Sequence, residues 1–595
     1  MIVSSSPEWS TRTFGNEDRL PRVPVPTLED SCRRFLEWCA PLLTAEELAE
    51  TEAAVRAYLA EDSPAHELQA LLEAYDSAEG VRSWLDTFWP YRYLGRRDRI
   101  ALNANFFFLF AESGLGQVER AAELVASAVD YKLRLDDESI PPIIVRGQPQ
   151  SMVQHKFLFS ATRIPGAELD TARTPYREGW PGPSTARHIV VFHQDTPFRM
   201  DVLAPDGRPY DTDQLIAGLH TIMKTGRAID EPATAAGHFT TKARAEWAAT
   251  RQALIDAGNA AALDTIETAL FCVCLEDLTP KDTQEACDQL LHGDSGNRWF
   301  DKAVSLIVFA DGTAGINVEH CELDGTTILG FTDALLAGER VARPGADGVP
   351  AFERIEFVLD EALREDARAA AASFRAYADA TATKILSFED FGASRAKQLG
   401  MSPDGFAQMA YQLAHKRAKG LTGATYESIA TRQFQNGRTE AMRVVTPEVL
   451  RFVAVMEDGN ASREERREAF RTAAAKHVAR AKECQVGDAP EQHLWELQLI
   501  QKRRGGDVNL PLYSSPGWIK MRDDYLSTSS APSVNIQYFG FGSTSPQCIG
   551  VAYVLLPDRL NIYLCTPRHV AHEMTLFAEE LTTAVRELEE LLASE

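Results

Sequence analysis

Two apolar runs joined by an Asp-Gly pair constrain this chain more than any other feature. Ser305-Leu306-Ile307-Val308-Phe309-Ala310 leads into Asp311-Gly312, and Gly315-Ile316-Asn317-Val318-Glu319-His320 leads back. Asp-Gly between apolar runs is a strong hairpin signal, because both residues tolerate the backbone that the tightest turns require. The hairpin delivers His320 to the end of a strand, where local support holds a side chain more firmly than a free loop does. Cys321-Glu322-Leu323-Asp324-Gly325 follow, so the histidine stands four residues before a second Asp-Gly pair.

The chain has 595 residues, well beyond the roughly 250–300 at which one hydrophobic core stops growing, so two large domains are expected. The runs His188-Ile189-Val190-Val191-Phe192 and Phe198-Arg199-Met200-Asp201-Val202-Leu203 read as further strands. Helices are predicted at 213–224, 361–384, 404–419, 461–484 and 571–593, and a strand at 548–555. Alternation of this kind is an α/β pattern. Residues 1–27 read as an irregular leader and 28–74 as a helical segment, with Thr44 and Glu47 spaced as a capping box. The Gly-, Pro- and Ser-rich stretch 503–533 reads as mostly loop, and the 361–384 helix as the covalent bridge between domains.

A formal charge of -25 argues against non-specific nucleic-acid binding and against attraction to anionic membranes. Nine scattered cysteines do not form a disulfide framework, and Cys272-Val273-Cys274 reads as buried strand. No run approaches the ~20 apolar residues of a membrane span. The first residues lack the apolar core of a secretory signal, so a cytoplasmic protein is expected.

A histidine side chain ordinarily titrates near neutrality, so one at position 320 can take and return a proton, the service an alcohol needs when it attacks a thioester. Asp324 could fix the ring's tautomer directly. The bend favours a second arrangement, in which Asp324 steadies the turn through another side chain such as Arg298, while Gly325 permits a sharp backbone path. Ser527-Thr528-Ser529-Ser530 offers hydroxyl donors for a developing oxyanion, each worth about 3 kcal/mol in a transition state when well placed. No Gly-x-Ser-x-Gly elbow, Walker loop or dinucleotide fingerprint is present. Cys321 adjoins the histidine but points to the opposite side of an extended chain.

With these residues in place the chain resembles the choline/carnitine acyltransferases over nearly its whole length. The resemblance is carried by Leu20-Pro21-Arg22-Val23-Pro24-Val25-Pro26, Asn297-Arg298-Trp299-Phe300-Asp301-Lys302, Glu319-His320 with Asp324-Gly325, Ser402-Pro403-Asp404, Ala424-Thr425-Tyr426-Glu427-Ser428, Gly437-Arg438-Thr439-Glu440 and Leu526-Ser527-Thr528-Ser529, in the family's order. It implies two similar α/β domains with mixed sheets flanked by helices, like chloramphenicol acetyltransferase, and an active-site tunnel between them. One domain would span 75–360 and carry the histidine. The other would span 361–595, carry the Ser-Thr-Ser segment and pack with 28–74.

The resemblance also implies roles. His320 would deprotonate the acceptor hydroxyl, or the thiol in reverse, and Ser529 would steady the oxyanion. Ser527 and Thr528 would support the acceptor side, with no metal and no tightly bound cofactor. Tyr426 and Thr439 would hold an acceptor carboxylate and Phe541 would face a trimethylammonium group. Gln492 stands where the family carries an arginine, so the charge and fork that complete a carboxylate site are missing. Lys397, with Arg395 and Asp404 nearby, would form the coenzyme A side, although Ala393 replaces a second lysine. Phe539 fills a position that opens to long acyl chains when small, so a short acyl group is expected. The leading reading is an O-acyltransferase using acyl-coenzyme A and a small alcohol or amino alcohol. Its alternatives are an acyl group on a carrier protein's pantetheine, an amine acceptor, and a non-catalytic binding protein of the same fold. A monomer is compatible with the sequence.

Overall fold

The structure is a computed structural model that describes residues 8–227, 229–505 and 510–593. The chain forms two compact units from interleaved segments. Met1–Leu20, Trp89–Ala380 and Ser533–Gly542 make the first, and Pro21–Phe88, Thr381–Pro532 and Ser543–Glu595 the second. Each is a mixed sheet flanked by helices, the α/β class that the sequence pattern implied.

The first unit holds an eight-stranded sheet in the order Phe352–Arg354, Thr196–Asp201, His188–His193, Cys272–Leu275, Val304–Val308, Ala314–Val318, Phe106–Phe110 and Ile536–Phe541. The strands at 188, 272 and 304 run parallel and the remaining pairings are antiparallel. Every residue of Cys272–Leu275, Val304–Val308, Ala314–Val318 and Phe106–Phe110 is buried. Strands covered on both faces read as continuous apolar runs, which is how the sequence shows them. The Asp311-Gly312 turn closes the predicted hairpin. Gly312 has φ +88°, and a side chain there would lie 2.0 Å from the Leu115 carbonyl oxygen.

The division drawn at residue 360 does not coincide with these units. Residues 533–542 supply the last strand of the first unit's sheet, with Phe541 opposite Phe106 and Phe539 opposite Phe108. Local pattern identifies a strand but not a partner four hundred residues away. The N-terminal stretch is likewise no loose leader within its described part. Thr13 donates to the Ile140 carbonyl at 2.7 Å, and Ser151 donates to Glu17 at 2.8 Å; residues 1–7 lie outside the described residues.

The second unit holds a six-stranded sheet in the order Thr381–Phe388, Leu560–Pro567, Ile549–Leu555, Leu526–Ser530, Thr425–Ala430 and Thr439–Arg443. The helices Leu28–Cys39, Ala45–Tyr58 and Ala65–Asp76 belong to it, and Thr44 and Glu47 form the predicted capping box. The expected 361–384 helix ends at Asp379. Thr381, Thr383 and Ile385 begin a strand instead, as β-branched residues at alternate positions favour. The stretch 503–533 is also more regular than expected. Within its described residues it contains the helix Pro516–Arg522, opened by Ser515 as N-cap, and the strand Leu526–Ser530. All nine cysteines are buried. Among the described residues no helix is long and apolar enough to cross a membrane.

Candidate active site

In the first unit the Ala314–Val318 strand ends against its neighbour, with the Glu319 amide still donating to the Ala303 carbonyl. His320 follows directly, its side chain 25% exposed. Its ring stacks on Tyr93 at 4.8 Å between centroids and meets Phe106 edge-on at 5.1 Å. A ring wedged between two aromatic side chains has little rotational freedom, so its nitrogens keep fixed directions. Nδ1 lies 3.6 Å from Asp324 Oδ1, beyond hydrogen-bond length, so Nε2 is the ring nitrogen away from that carboxylate.

Asp324 is 2% exposed and precedes the helix Gly325–Ala337. Gln154 clamps it from both sides. The glutamine Nε2 donates to Asp324 Oδ2 at 2.9 Å, and its Oε1 accepts from the Asp324 amide and the Thr327 hydroxyl, both at 2.8 Å. Arg298, the expected partner of Asp324, is engaged elsewhere: it pairs with Glu276 and donates to the Gln289 carbonyl at 3.2 Å. Gly325 is not a strained turn position either. It opens the helix, and a side chain there would meet nothing within 4 Å. Cys321 is buried, and burial, with Glu319 and Glu322 nearby, pushes its thiol well above the usual range. It is a poor nucleophile.

Phe539 and Phe541 lie in this same unit, on alternate positions of one strand and hence on one face. Phe539 meets Phe108 at 5.4 Å, Phe541 at 5.5 Å and Phe106 at 6.1 Å. The row that begins at His320 thus continues through Phe106 to Phe539.

The hydroxyl segment forms a central strand of the second unit's sheet, parallel to Thr425–Ala430 with Ser527 opposite Tyr426. Alternation separates its residues. Ser527 is buried and Ser529 half-buried. Thr528, grouped with them for the acceptor side, is 0% exposed and committed to the protein, donating to the Tyr426 carbonyl and accepting from Gln408, both at 2.9 Å. A threonine in a strand core faces away from its serine neighbours. Tyr426 is half-buried with the Arg443 guanidinium 5.6 Å from its ring centre, and Gln492 donates to the Thr439 carbonyl at 2.6 Å.

On the presumed coenzyme A side, Lys397 is exposed on the helix Ala393–Gln398. Arg395 forms an ion pair with Glu589 at 2.6 Å, so its charge is already matched. Asp404 opens the helix Pro403–Lys419 and belongs to a cluster that the sequence did not reveal. Its carboxylate accepts from the Tyr553 hydroxyl at 2.5 Å and lies 3.1 Å from His477 Nε2, which is 3.2 Å from Glu427. Burial alone would lower His477, but Glu427 and Asp404 outweigh it and push the ring up to about 10. Glu427 is raised by burial and by Asp404. Asp404, Glu427 and His477 have the spacing of metal ligands. Both carboxylates lie against the same ring nitrogen, and a cation would have to displace the proton it carries.

Tyr93, Phe106, Gln154 and His477 therefore join the residues read from sequence. Phe106-Phe107-Phe108 signalled a buried strand but not its neighbour, and nothing local marks Gln154 as the partner of a residue 170 positions on.

Comparison with known proteins finds relatives along most of the chain. The family described as choline/carnitine O-acyltransferase matches residues 23–583. Mouse mitochondrial carnitine O-palmitoyltransferase 2 is 31% identical over 92% of this chain and 88% of its own. Human carnitine O-acetyltransferase is 28% identical over 98% of this chain and 95% of its own. Among solved structures, trichothecene 15-O-acetyltransferase from Fusarium sporotrichioides is 10% identical, covers 83% of this chain and 92% of its own, and gives a TM-score of 0.38. The chain belongs to the choline/carnitine O-acyltransferase family, and it is an acyltransferase.

Proposed function

We propose that this enzyme moves a short acyl group between coenzyme A and the hydroxyl of a small amino alcohol, with His320 as general base. The observation that carries the reading is the His320 ring itself, partly exposed, held between Tyr93 and Phe106, with the Asp324 carboxylate beside Nδ1. As the acceptor oxygen bonds to the thioester carbonyl carbon, its proton passes to the ring nitrogen away from Asp324. The tetrahedral intermediate collapses, the carbon–sulfur bond breaks, and the departing thiolate takes that proton. Ser529 and Ser527 are the proposed hydroxyl donors to the oxyanion and the acceptor. Relatives named for carnitine support an acceptor of that type. Gln492, where the family has arginine, supports a weaker hold on its carboxylate.

The acyl length rests on Phe539, whose ring is 6% exposed and packed against Phe106, Phe108 and Phe541. A bulky aromatic there leaves no room for a long chain.

Thiol release from acetyl-, butyryl- and palmitoyl-coenzyme A, each with carnitine, choline and small hydroxy amino acids, tests both parts. Acceptor-dependent turnover that falls from acetyl to palmitoyl is expected, and His320→Ala should lose at least about 100-fold in kcat while remaining folded. Fastest turnover with palmitoyl would refute the short pocket. A His320→Ala enzyme as fast as the wild type would refute the base.

A further inference from the structure

The catalytic turn is tied to a buried ionic network that the mechanism so far leaves unused. Arg163 is at its centre. The residue is 1% exposed, and its guanidinium spreads over three partners. Nε donates to Asp170 Oδ2 at 2.6 Å, Nη2 to the Tyr93 carbonyl at 2.8 Å and Nη1 to Glu319 Oε1 at 3.3 Å. Asp170 is itself gripped by Arg244 at 2.6 Å, Arg97 at 2.9 Å and the Gly166 amide at 2.9 Å. Arg244 pairs in turn with Asp301 at 2.8 Å. The guanidinium is thus anchored on one side by fixed charges and offers its other two nitrogens outward.

Both of those outward contacts end on residues that adjoin His320. Glu319 precedes it, and the two oxygens of that carboxylate each accept from the Cys321 amide at 3.2 Å. The chain is therefore pinned immediately before and immediately after the histidine. Tyr93, held through its carbonyl, provides the ring on which the imidazole stacks. A planar fork with five donors can serve two directions at once, which a lysine cannot.

We propose that Arg163 is a positioning residue, holding the His320 backbone through Glu319 and its stacking partner through Tyr93 in a single register. The inference rests on His320 being the base. Glu319 is the intermediary and makes no contact with substrate in this scheme. Loss of the fork would let the imidazole drift relative to the acceptor oxygen without touching either binding site. Misplacement of about 1 Å is enough to cost on the order of 100-fold in rate.

The test uses Arg163→Gln, Glu319→Gln, the double variant and His320→Ala in the full-length enzyme. For Arg163→Gln, kcat should fall about 10- to 100-fold, with KM for thioester and acceptor each within about threefold of the wild type. Glu319→Gln keeps the shape and one acceptor for Cys321 but removes the charge, so a smaller loss in kcat is expected. The double variant should be no slower than Arg163→Gln, because both changes break one linkage. Folded Arg163→Gln with kcat within about twofold of the wild type would overturn the proposal. So would multiplying losses in the double variant. If Arg163→Gln does not fold, Glu319→Gln decides: an unchanged kcat there overturns the proposal as well. His320→Ala separates the two claims. Its retention of turnover sinks the general-base reading, whereas its inactivity beside a fully active Arg163→Gln sinks only the positioning role.

Discussion

Gln154 closes the His320–Asp324 turn on itself. Its amide gives one donor to the Asp324 carboxylate and uses one acceptor for both the Asp324 amide and the Thr327 hydroxyl. Leucine at 154 would fill similar space and satisfy none of them. A buried carboxylate would then lose a donor, at a cost of about 1–3 kcal/mol in stability. Asp324 would also be free to turn away from His320. Gln154→Leu is expected to lower the thermal midpoint by several degrees and to lower kcat about tenfold, with KM little changed. Calorimetry and steady-state kinetics on the same sample check both, and an undiminished kcat would show that Asp324 needs no clamp. The residues that touch one another in sequence were legible: His320, its four-residue distance from Asp324, and the serine row. Gln154 was not, because a buried amide in an irregular segment carries no periodic signal. The bend after His320 suggested that Asp324 acts through another side chain such as Arg298, and Gln154 is the side chain that fills that place.

At the scale of elements, the second unit is pinned by a charge cluster spanning three of them. Asp404 comes from the helix Pro403–Lys419, Glu427 from the strand Thr425–Ala430 and His477 from the helix Arg463–Gln485. Removing a proton from His477 leaves the buried Glu427 carboxylate facing that of the half-buried Asp404. Its folded-state value, pushed up to about 10, lies above the ordinary 6.5. The stabilisation is therefore fully present below about pH 6.5 and is lost as the pH rises through about 10. His477→Gln removes that contribution. The gap in thermal midpoint between wild type and His477→Gln should be wide at pH 6 and should have narrowed by pH 10. A gap that stays constant across this range would mean that His477 is neutral in the folded protein. The two helices of the cluster were predicted within two residues at either end, since helical periods are local, whereas the Thr425–Ala430 strand was not predicted. That the three meet was not legible, because charge pairing across elements depends on a packing no short window contains.

The whole molecule shows the same limit at longer range. Its hairpin, its α/β class and the helices Thr212–Thr225, Pro403–Lys419, Arg463–Gln485 and Ala571–Ala593 follow from local patterns, yet the chain does not divide where those patterns change. Residues 533–542 lie between two strands of the second unit's sheet in sequence and complete the sheet of the first. The Phe106–Phe110 strand, buried at every position, takes Ile536–Phe541 as its outer neighbour. Without it a row of apolar residues and unpaired amides would form an open edge. This pairing predicts how the protein opens. Cooperative units follow tertiary contacts rather than sequence order. In hydrogen exchange followed by mass spectrometry at rising urea, 536–541 should lose protection together with 106–110 and 314–318. The flanking strands 526–530 and 549–555 should open as a separate set with the rest of the second unit. If 536–541 opens with those flanking strands instead, its place in the first sheet contributes little to stability. The position of Phe539 and Phe541 against Phe106 and Phe108 would then rest on a weak edge, and the acyl preference assigned to Phe539 would lose its structural support.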